Sequence, residues 1–508
     1  LETFPRRGGS DIVKSDKPGT GAKRTTIEEV LEQAAKSSDF CSISPLSNTD
    51  DLTLYYYNSL VNGAMASELL LKPLQENKDA VTDVAMLRAC LPFQKVMMSK
   101  DPAEAEAALI GGCFLIRLKE DEPFLLVDVS DDGLGLRPNN ETENEFSVVG
   151  PKKGFVENVD VNIHLLRTQM QVPELVVEEL TIGSVSKTRV VIVYLQGVTN
   201  EELVQTVRQR LSDIDFEVVF DSSQLDQIIS DHSNTPFPLF LSTERIDRVT
   251  YAIISGQVAV LSNGSPYAIT GPSNFLEFFI SPEDYYLPWI LGSFFRLIRL
   301  TCVILSIFAT PIYVAVLTFH FEVIPDTILV PLIESRMHVP FPPIIEVIFL
   351  EITIELLREA GARLPTKIGQ TLGIVGGIVI GEASVRAALT SNILLIIVAL
   401  AALASFTTPI FKMANTIRLI RFPFIFLAGL WGGLGVFAGL ALLLGHLLRL
   451  KSLGMPYLVP IYPFRGGNLA DSLIRSSYLY TTNRSVFLRP QNLKRYKPTA
   501  RREKPDED

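Results

Sequence analysis

Apolar positions change character along this chain. Up to about residue 286 they come in short runs broken by charge. Two of these runs, LTLYYYNSLVN (Leu52–Asn62) and TRVVIVYLQGVTN (Thr188–Asn200), are rich in the β-branched and aromatic residues that suit strands. Each precedes a stretch of helical period, at Ala66–Gln75 and Glu201–Leu211. Two later runs, ALIGGCFLI (Ala108–Ile116) followed by PFLLVDV, and AIISGQVAV (Ala252–Val260) followed by PYAIT, align at an offset of 144 residues. The pattern predicts two related α/β subdomains of strand–helix–(variable)–helix–strand–strand order. Asn263-Gly264 predicts the closing hairpin of the second, since both residues tolerate positive φ. Thr26 and Glu29 form a capping box that opens a short helix toward Phe40. Leu1–Arg24 is polar and lacks the apolar stretch of a secretory signal, so it reads as a disordered tail and the acidic region as cytoplasmic.

Beyond Leu287 the apolar runs lengthen. Leu300–Phe319, Ala387–Phe411 and Phe422–Leu448 carry no Asp, Glu, Lys or Arg over 20 residues or more, apart from Lys412 and its neighbours just outside them. Each is long enough to span a bilayer as a helix. Tyr285, Tyr286 and Trp289 precede the first, as interfacial aromatics do, and Arg296 and Arg299 are placed to snorkel to the same surface.

Two further segments mix apolar and polar positions. In Val339–Leu357, Glu351 and Glu355 fall with Arg358 on one stripe about 60° wide at ~100° per residue. They form either the wall of an ion pathway or the wet face of a surface helix. In Ile368–Val385, Gly369, Gly373, Gly377 and Gly381 make a helix-packing face. Thr371, Val375, Ile378, Val379 and Glu382 lie opposite and are the pore-lining candidates, with Glu382 forming a ring of carboxylates in an oligomer. The same spacing suits ordinary packing, with Glu382 and Arg386 as an i,i+4 pair.

Charge sharpens the division. The chain of 508 residues has a net charge of −10. Residues 1–286 hold 24 Lys+Arg against 43 Asp+Glu, residues 287–448 hold 10 against 8, and residues 449–508 hold 12 against 5. We therefore expect a polar tail with a short helix (1–45) and cytoplasmic α/β subdomains at 46–170 and 171–286. An α-helical multi-pass membrane domain (287–450) and a basic tail (451–508) follow. The acidic balance argues against nucleic acid as a partner. Four scattered cysteines and five dispersed histidines suit neither a disulfide framework nor a metal centre. No phosphate-binding loop or nucleophile elbow is present, so neither an enzyme nor a cofactor is expected. Topology stays open. The basic segments Arg358–Lys367 and Lys412–Arg421 suit the cytoplasm, yet five crossings would put the basic tail outside. Either the Glu-bearing segment does not cross, or the stretch near Met455–Pro463 re-enters.

Several blocks resemble one family in order: GPKKGFVENVDVNIHLLR (Gly150–Arg167), VPELVVEELTIGSVSKTRVVIVYLQGVTNEELV (Val172–Val204), FLEFFISPEDYY (Phe275–Tyr286), PFPPIIEVIFLEITIELLREAGARLP (Pro340–Pro365), IGQTLGIVGGIVIGEASV (Ile368–Val385) and SLGMPYLVPIYPF (Ser452–Phe464). Over about residues 50 to 465 the chain resembles the A subunit of GerA-type spore germinant receptors. It departs at Lys152-Lys153, at Ile246 and at Glu382, where the family often has Gln. The resemblance implies a protein of the inner spore membrane that works with a transporter-like B subunit, which binds the nutrient, and a lipoprotein C subunit. It further implies a homo-oligomer acting as a nutrient-gated channel for monovalent cations. Three other readings remain: a paralog like stage V sporulation protein AF, tied to dipicolinic acid release; a non-conducting scaffold; and a secondary transporter using Glu351 and Glu355, which would require inverted repeats that the sequence lacks.

Overall fold

The structure, a computed structural model, describes residues 24, 26–45, 52–76, 84–93, 96–118, 123–131, 142, 145, 149–364, 377, 379–464, 471–478 and 481–496. The polar segment before Arg24 lies outside the described residues, as do Gly369, Thr371, Gly373, Val375 and Ile378.

The internal repeat is visible in strand order. The first sheet contains β1 (Phe40–Ile43), β2 (Thr53–Tyr57), β3 (Val96–Ser99), β4 (Cys113–Arg117) and β5 (Phe124–Asp128), arranged β1-β2-β4-β5-β3. The second contains β6 (Leu175–Ile182), β7 (Thr188–Leu195), β8 (Leu241–Thr243), β9 (Val258–Ser262) and β10 (Ala268–Gly271), arranged β6-β7-β9-β10-β8. The two orders are the same once five is subtracted from the second, and every pairing is antiparallel.

Before β4 and β9 stand the helices Pro102–Ile110 and Ile246–Ser255. Just past each, Gly112 (φ 83°) and Gly256 (φ 103°) turn the chain through a backbone region that L side chains avoid. The 144-residue offset relates these two glycines as well. The sequence pattern missed the first strand of each unit and the short β3 and β8. β1 and β3 are four-residue strands at the sheet edges, each with two exposed positions, and β8 has only three residues. The hairpin after β9 differs from the two-residue turn expected. Its connection covers residues 263–267, and only Gly264 has positive φ (89°). Asn263 instead accepts the Val159 N–H at 3.3 Å with its side chain and donates its own N–H to Arg189 at 2.9 Å.

Six helices frame the argument: α1 (Ile27–Ala34), α2 (Val159–Gln169), α3 (Glu201–Ser212), α4 (Ser222–Ile229), α5 (Trp289–Phe319) and α6 (Pro343–Arg363). α1 starts at Thr26 with its capping box to Glu29 in place. Sequence boundaries put α2 with the first subdomain, but its Val159, Ile163 and Leu166 pack under the second sheet against Val191 and Val193. The other face of that sheet packs on Leu203, Val207, Leu225 and Ile229 of α3 and α4. This core does not stop at the sheet. It continues through Phe278 and Tyr457 to Val303, Ile417 and Leu447 of the helical region.

The helical region corrects several expectations. α7 (Asn392–Ser405) has 14 residues and is preceded by turns, with Ala388 at φ 54°. At 1.5 Å per residue it covers about 21 Å, short of the ~30 Å of a bilayer core. The 25-residue run Ala387–Phe411 is thus not one continuous helix.

α8 (Phe411–Arg449) is long, but Gly432 interrupts it at φ 57°, ψ −136°. There the chain folds back. Lys412 near one end pairs with Asp226 of the sheet domain at 2.6 Å, and His446 near the other contacts Thr235 of the same domain at 2.9 Å. The arms lie so close that a side chain at Gly435 would collide with the Leu427 carbonyl, and one at Gly439 would come within 2.9 Å of the Phe424 ring. Phe422–Leu448 is therefore two antiparallel arms, and the supposed basic loop Lys412–Arg421 is the start of the first. The return arm delivers Leu450 and Tyr457 to the core beneath the sheet, so the tail emerges on the side of the sheet domain.

α5 leaves the sheet domain at Trp289 and ends beside the α8 turn, where His320 accepts the Gly433 N–H at 3.2 Å. α6 runs the opposite way: Ile344 sits on Gly429 near the far end, and Glu355 reaches Arg418 nearer the sheet domain. Among the described residues, α5 meets the length and hydropathy of a membrane span, and so does α8 when its two arms are taken together. Arg296 does not snorkel. It is fully buried, with Nε 3.0 Å from Asp284, and Arg299 reaches the same carboxylate at 3.1 Å. A carboxylate in reach and the stacked Tyr285 ring make an inward guanidinium cheaper than one exposed at the edge.

Candidate functional site

Polar side chains run through the helical bundle in layers, each built where helices of opposite direction face one another. Farthest from the sheet domain, Glu346 of α6 accepts the Ser391 N–H at 2.6 Å and the Thr390 hydroxyl at 3.3 Å, with Arg336 at 3.5 Å. Tyr313 of α5 and Ser391 are 3.2 Å apart at this level. The Ser391 side chain caps α7, accepting from the Leu394 N–H.

In the middle layer Arg421 gathers four helices. Its guanidinium donates to Glu351 of α6 at 2.6 Å, to the Ser306 hydroxyl of α5 at 2.7 Å, and to the Ala401 carbonyl of α7 at 3.4 Å. Both charged side chains are at most 4% exposed. Glu355 lies nearer the sheet domain, between Arg358 on its own helix and Arg418 at 3.8 Å. A narrow cleft of about 20 Å³ opens here among Glu351, Glu355, Arg358, Arg418 and Arg421.

Glu351, Glu355 and Arg358 thus share a stripe that turns inward, and a surface helix with solvated glutamates is not what forms. Carboxylates among apolar helices need partners of opposite sign, and two arginines from α8 supply them. Sequence reading treated those arginines as loop charges and missed them. The signal was available: acids four apart on one apolar helix (351, 355) face bases three apart on another (421, 418) in reversed order.

The pore-lining candidates Val379 and Glu382 occupy a short described helical stretch. Val379 is 57% exposed, and Glu382 pairs with Arg386 at 2.5 Å on an exposed face. Among the described residues, Gly377 has no neighbour within 4 Å of where a Cβ would stand, and Gly381 meets Leu395. Among the described residues of the bundle, Gly429, Gly432, Gly435 and Gly439 each have a neighbour within 3 Å of where a Cβ would stand.

Two ionic joints hold the sheet domain. At the helical junction, burial raises the Asp226 carboxyl despite Lys412 at 2.6 Å. Between the subdomains, Arg167 of α2 donates to Asp39 at 2.5 and 2.6 Å and stacks over Tyr57 at 4.1 Å. Burial alone would raise the Asp39 carboxyl, but Arg167 and the hydroxyls of Ser59 and Ser37 hold it below its ordinary value. Among the described residues no group of His, Cys, Asp and Glu is arranged to hold a metal.

Residues 26–487 match the model of the Bacillus/Clostridium GerA spore germination protein family. Spore germination protein GerQA of Bacillus cereus is 44% identical over 474 residues, 93% of this chain and 94% of that protein. GerIA of the same species is 42% identical over 96% of this chain and 73% of its own length. Spore germination protein KA of Bacillus subtilis is 36% identical over 88% of this chain and 83% of its own. The crystal structure of the N-terminal domain of the A subunit of the Bacillus megaterium spore germinant receptor GerK3 aligns with 49% of this chain and 94% of that domain, at 24% identity and a TM-score of 0.37. With a family match over residues 26–487 and a relative 44% identical over 93% of this chain, this protein belongs to the GerA family of spore germinant receptor A subunits.

Proposed function

We propose that this chain is the channel-forming subunit of a nutrient-gated receptor in the inner spore membrane, with its sheet domain in the cytoplasm. It assembles as a homo-oligomer with a transporter-like B subunit and a lipoprotein C subunit. The observation that carries this reading is a contrast within the bundle. Among the described residues the interior polar column is closed by ion pairs, above all Glu351–Arg421. Val379 and Glu382 are exposed, and we place them where copies meet around a shared axis. Thr371, Val375, Ile378, Val379 and Glu382 then line the path. The valine and isoleucine level closes it by dewetting, and Glu382 draws cations toward it.

Spores carrying Val375→Ala or Ile378→Ala test the gate. Germination without nutrient, or at lower nutrient concentration, is the expected result. Wild-type dose response from every substitution on that face would sink the assignment. The Arg421 hub joining four helices also favours a second reading, a scaffold that relays the B subunit's state without conducting. Cation flux through the purified assembly in liposomes separates the two.

A further inference from the structure

We infer that the cleft between the sheet domain and the first arm of α8 holds the head of one zwitterionic phospholipid from the adjoining leaflet. The inference rests on the membrane placement proposed above, and on no other part of that reading. The cleft, of about 360 Å³, lies between α4 with the loop after it and the start of α8, within the size range of small-molecule sites. It lies at the level where the helices leave the sheet domain, marked by the Lys412–Asp226 pair and the His446–Thr235 contact.

Its chemistry is zoned. Gln227, His232 and Ser233 line it from the sheet domain, are exposed, and make no side-chain hydrogen bond to the described residues. Along α8 the wall passes from Lys412 through Asn415 to Leu419, a change from charged to apolar over about 10 Å of helix. The same helix face then continues as exposed Leu419, Phe426 and Leu430, at 58%, 57% and 50%. Those three residues lie within about 40° of one another at ~100° per residue, so they form an apolar track leading from the cleft.

A soluble metabolite would leave that track unused, whereas a lipid fills both parts, its head in the polar cleft and its chain on the stripe. The charges choose the head. Lys412 and the buried Asp226 pair with each other, so the cleft carries no surplus charge of either sign. A polyanionic head would meet the carboxylate unbalanced. In a phosphoethanolamine head the phosphate meets the half-buried Lys412 and the amide donors Gln227 and Asn415, and the head's own ammonium keeps the cleft neutral.

The test uses the full chain in vesicles of phosphatidylethanolamine and phosphatidylglycerol, with a trace of photoactivatable phosphatidylethanolamine. Label should concentrate on the peptide containing Lys412–Leu419. It should fall about tenfold there in Gln227→Trp and in Asn415→Trp, the loss equivalent to 1.4 kcal/mol of binding. Both are exposed positions, so the variants block the cleft without entering the core. Label spread evenly around the bundle, or unchanged in both variants, overturns the site. Displacement by excess soluble glycerophosphoethanolamine identifies a solute site and overturns the lipid. Preferential labelling by a phosphatidylglycerol probe overturns the zwitterionic choice. A chain that fails to float with the vesicles at all overturns the membrane placement itself, whereas one that floats without focused label overturns this site alone.

Discussion

Removing one partner of the Glu351–Arg421 pair tests how the helical bundle is held. Both side chains are buried, at 4% and 3% exposure, among apolar residues from four helices. Changing Arg421 to Met removes the cation and leaves a carboxylate with no counter-charge at this level. The Ser306 hydroxyl and Ala401 carbonyl lose their bonds too. Breaking a buried pair in this way costs about 3–5 kcal/mol, which shifts a folding equilibrium by roughly two to nearly four powers of ten. Glu351→Leu strands the guanidinium in the same manner. Removing both charges is different, because each desolvation penalty disappears along with the attraction it offset. Glu351→Leu with Arg421→Met should therefore recover most of the loss, and replacement of a buried pair by apolar residues of similar volume is commonly neutral or stabilising. The measurement is thermal unfolding of the detergent-purified protein, with abundance in spores by immunoblot as a second readout. The reasoning is refuted if either single variant is as stable as the parent, or if the double variant is as damaged as the worse single one. Should the double variant fold yet fail to respond to nutrient, the pair serves signalling beyond stability.

The reversal at Gly432 predicts that cysteines placed at Asn415 and His446 are labelled from the same side of a sealed vesicle, and one at Leu434 from the other. Labelling of 415 and 446 from opposite sides would mean a single continuous helix. Gly435→Leu should abolish folded protein, because its side chain meets backbone, whereas Gly439→Ala should cost less because the Phe424 ring can turn; equal losses would contradict the geometry. The Asp39–Arg167 joint gives a pH dependence of known sign. A carboxyl held below its ordinary value contributes stability above its unfolded pKa of about 3.9, and loses it as pH falls through the folded value. Asp39→Asn should flatten that acid limb of unfolding in the full chain and lower stability at neutral pH. An unchanged acid limb would show that other carboxylates dominate.

Legibility in the sequence followed how local the determining interaction is. The capping box at Thr26, the helix from Glu201 and the 144-residue repeat were readable because each is specified by residues close together in the chain, or by the same local pattern written twice. The repeat even located two left-handed glycines, Gly112 and Gly256, without a homologue to compare. The helical region misled because hydropathy records how apolar a segment is and not where it turns. Phe422–Leu448 contains six glycines, and only contact between Gly435 and Leu427 distinguishes the one that reverses the chain. The charges misled for the opposite reason. Arg418 and Arg421 look like residues of a cytoplasmic loop when read beside Lys412, since the positive-inside rule weighs position along the chain. Their actual role depends on Glu351 and Glu355, some 60 to 70 residues earlier, which need cations at the same depth. A carboxylate in an apolar helix is therefore best read as a demand for a partner on another helix. The search for that partner should include every arginine within a turn or two of an apolar run. Applied here, that rule selects Arg418 and Arg421 from sequence, and it directs attention next to Glu346, whose partners Arg336, Thr390 and Ser391 meet the same demand at the far end of the bundle.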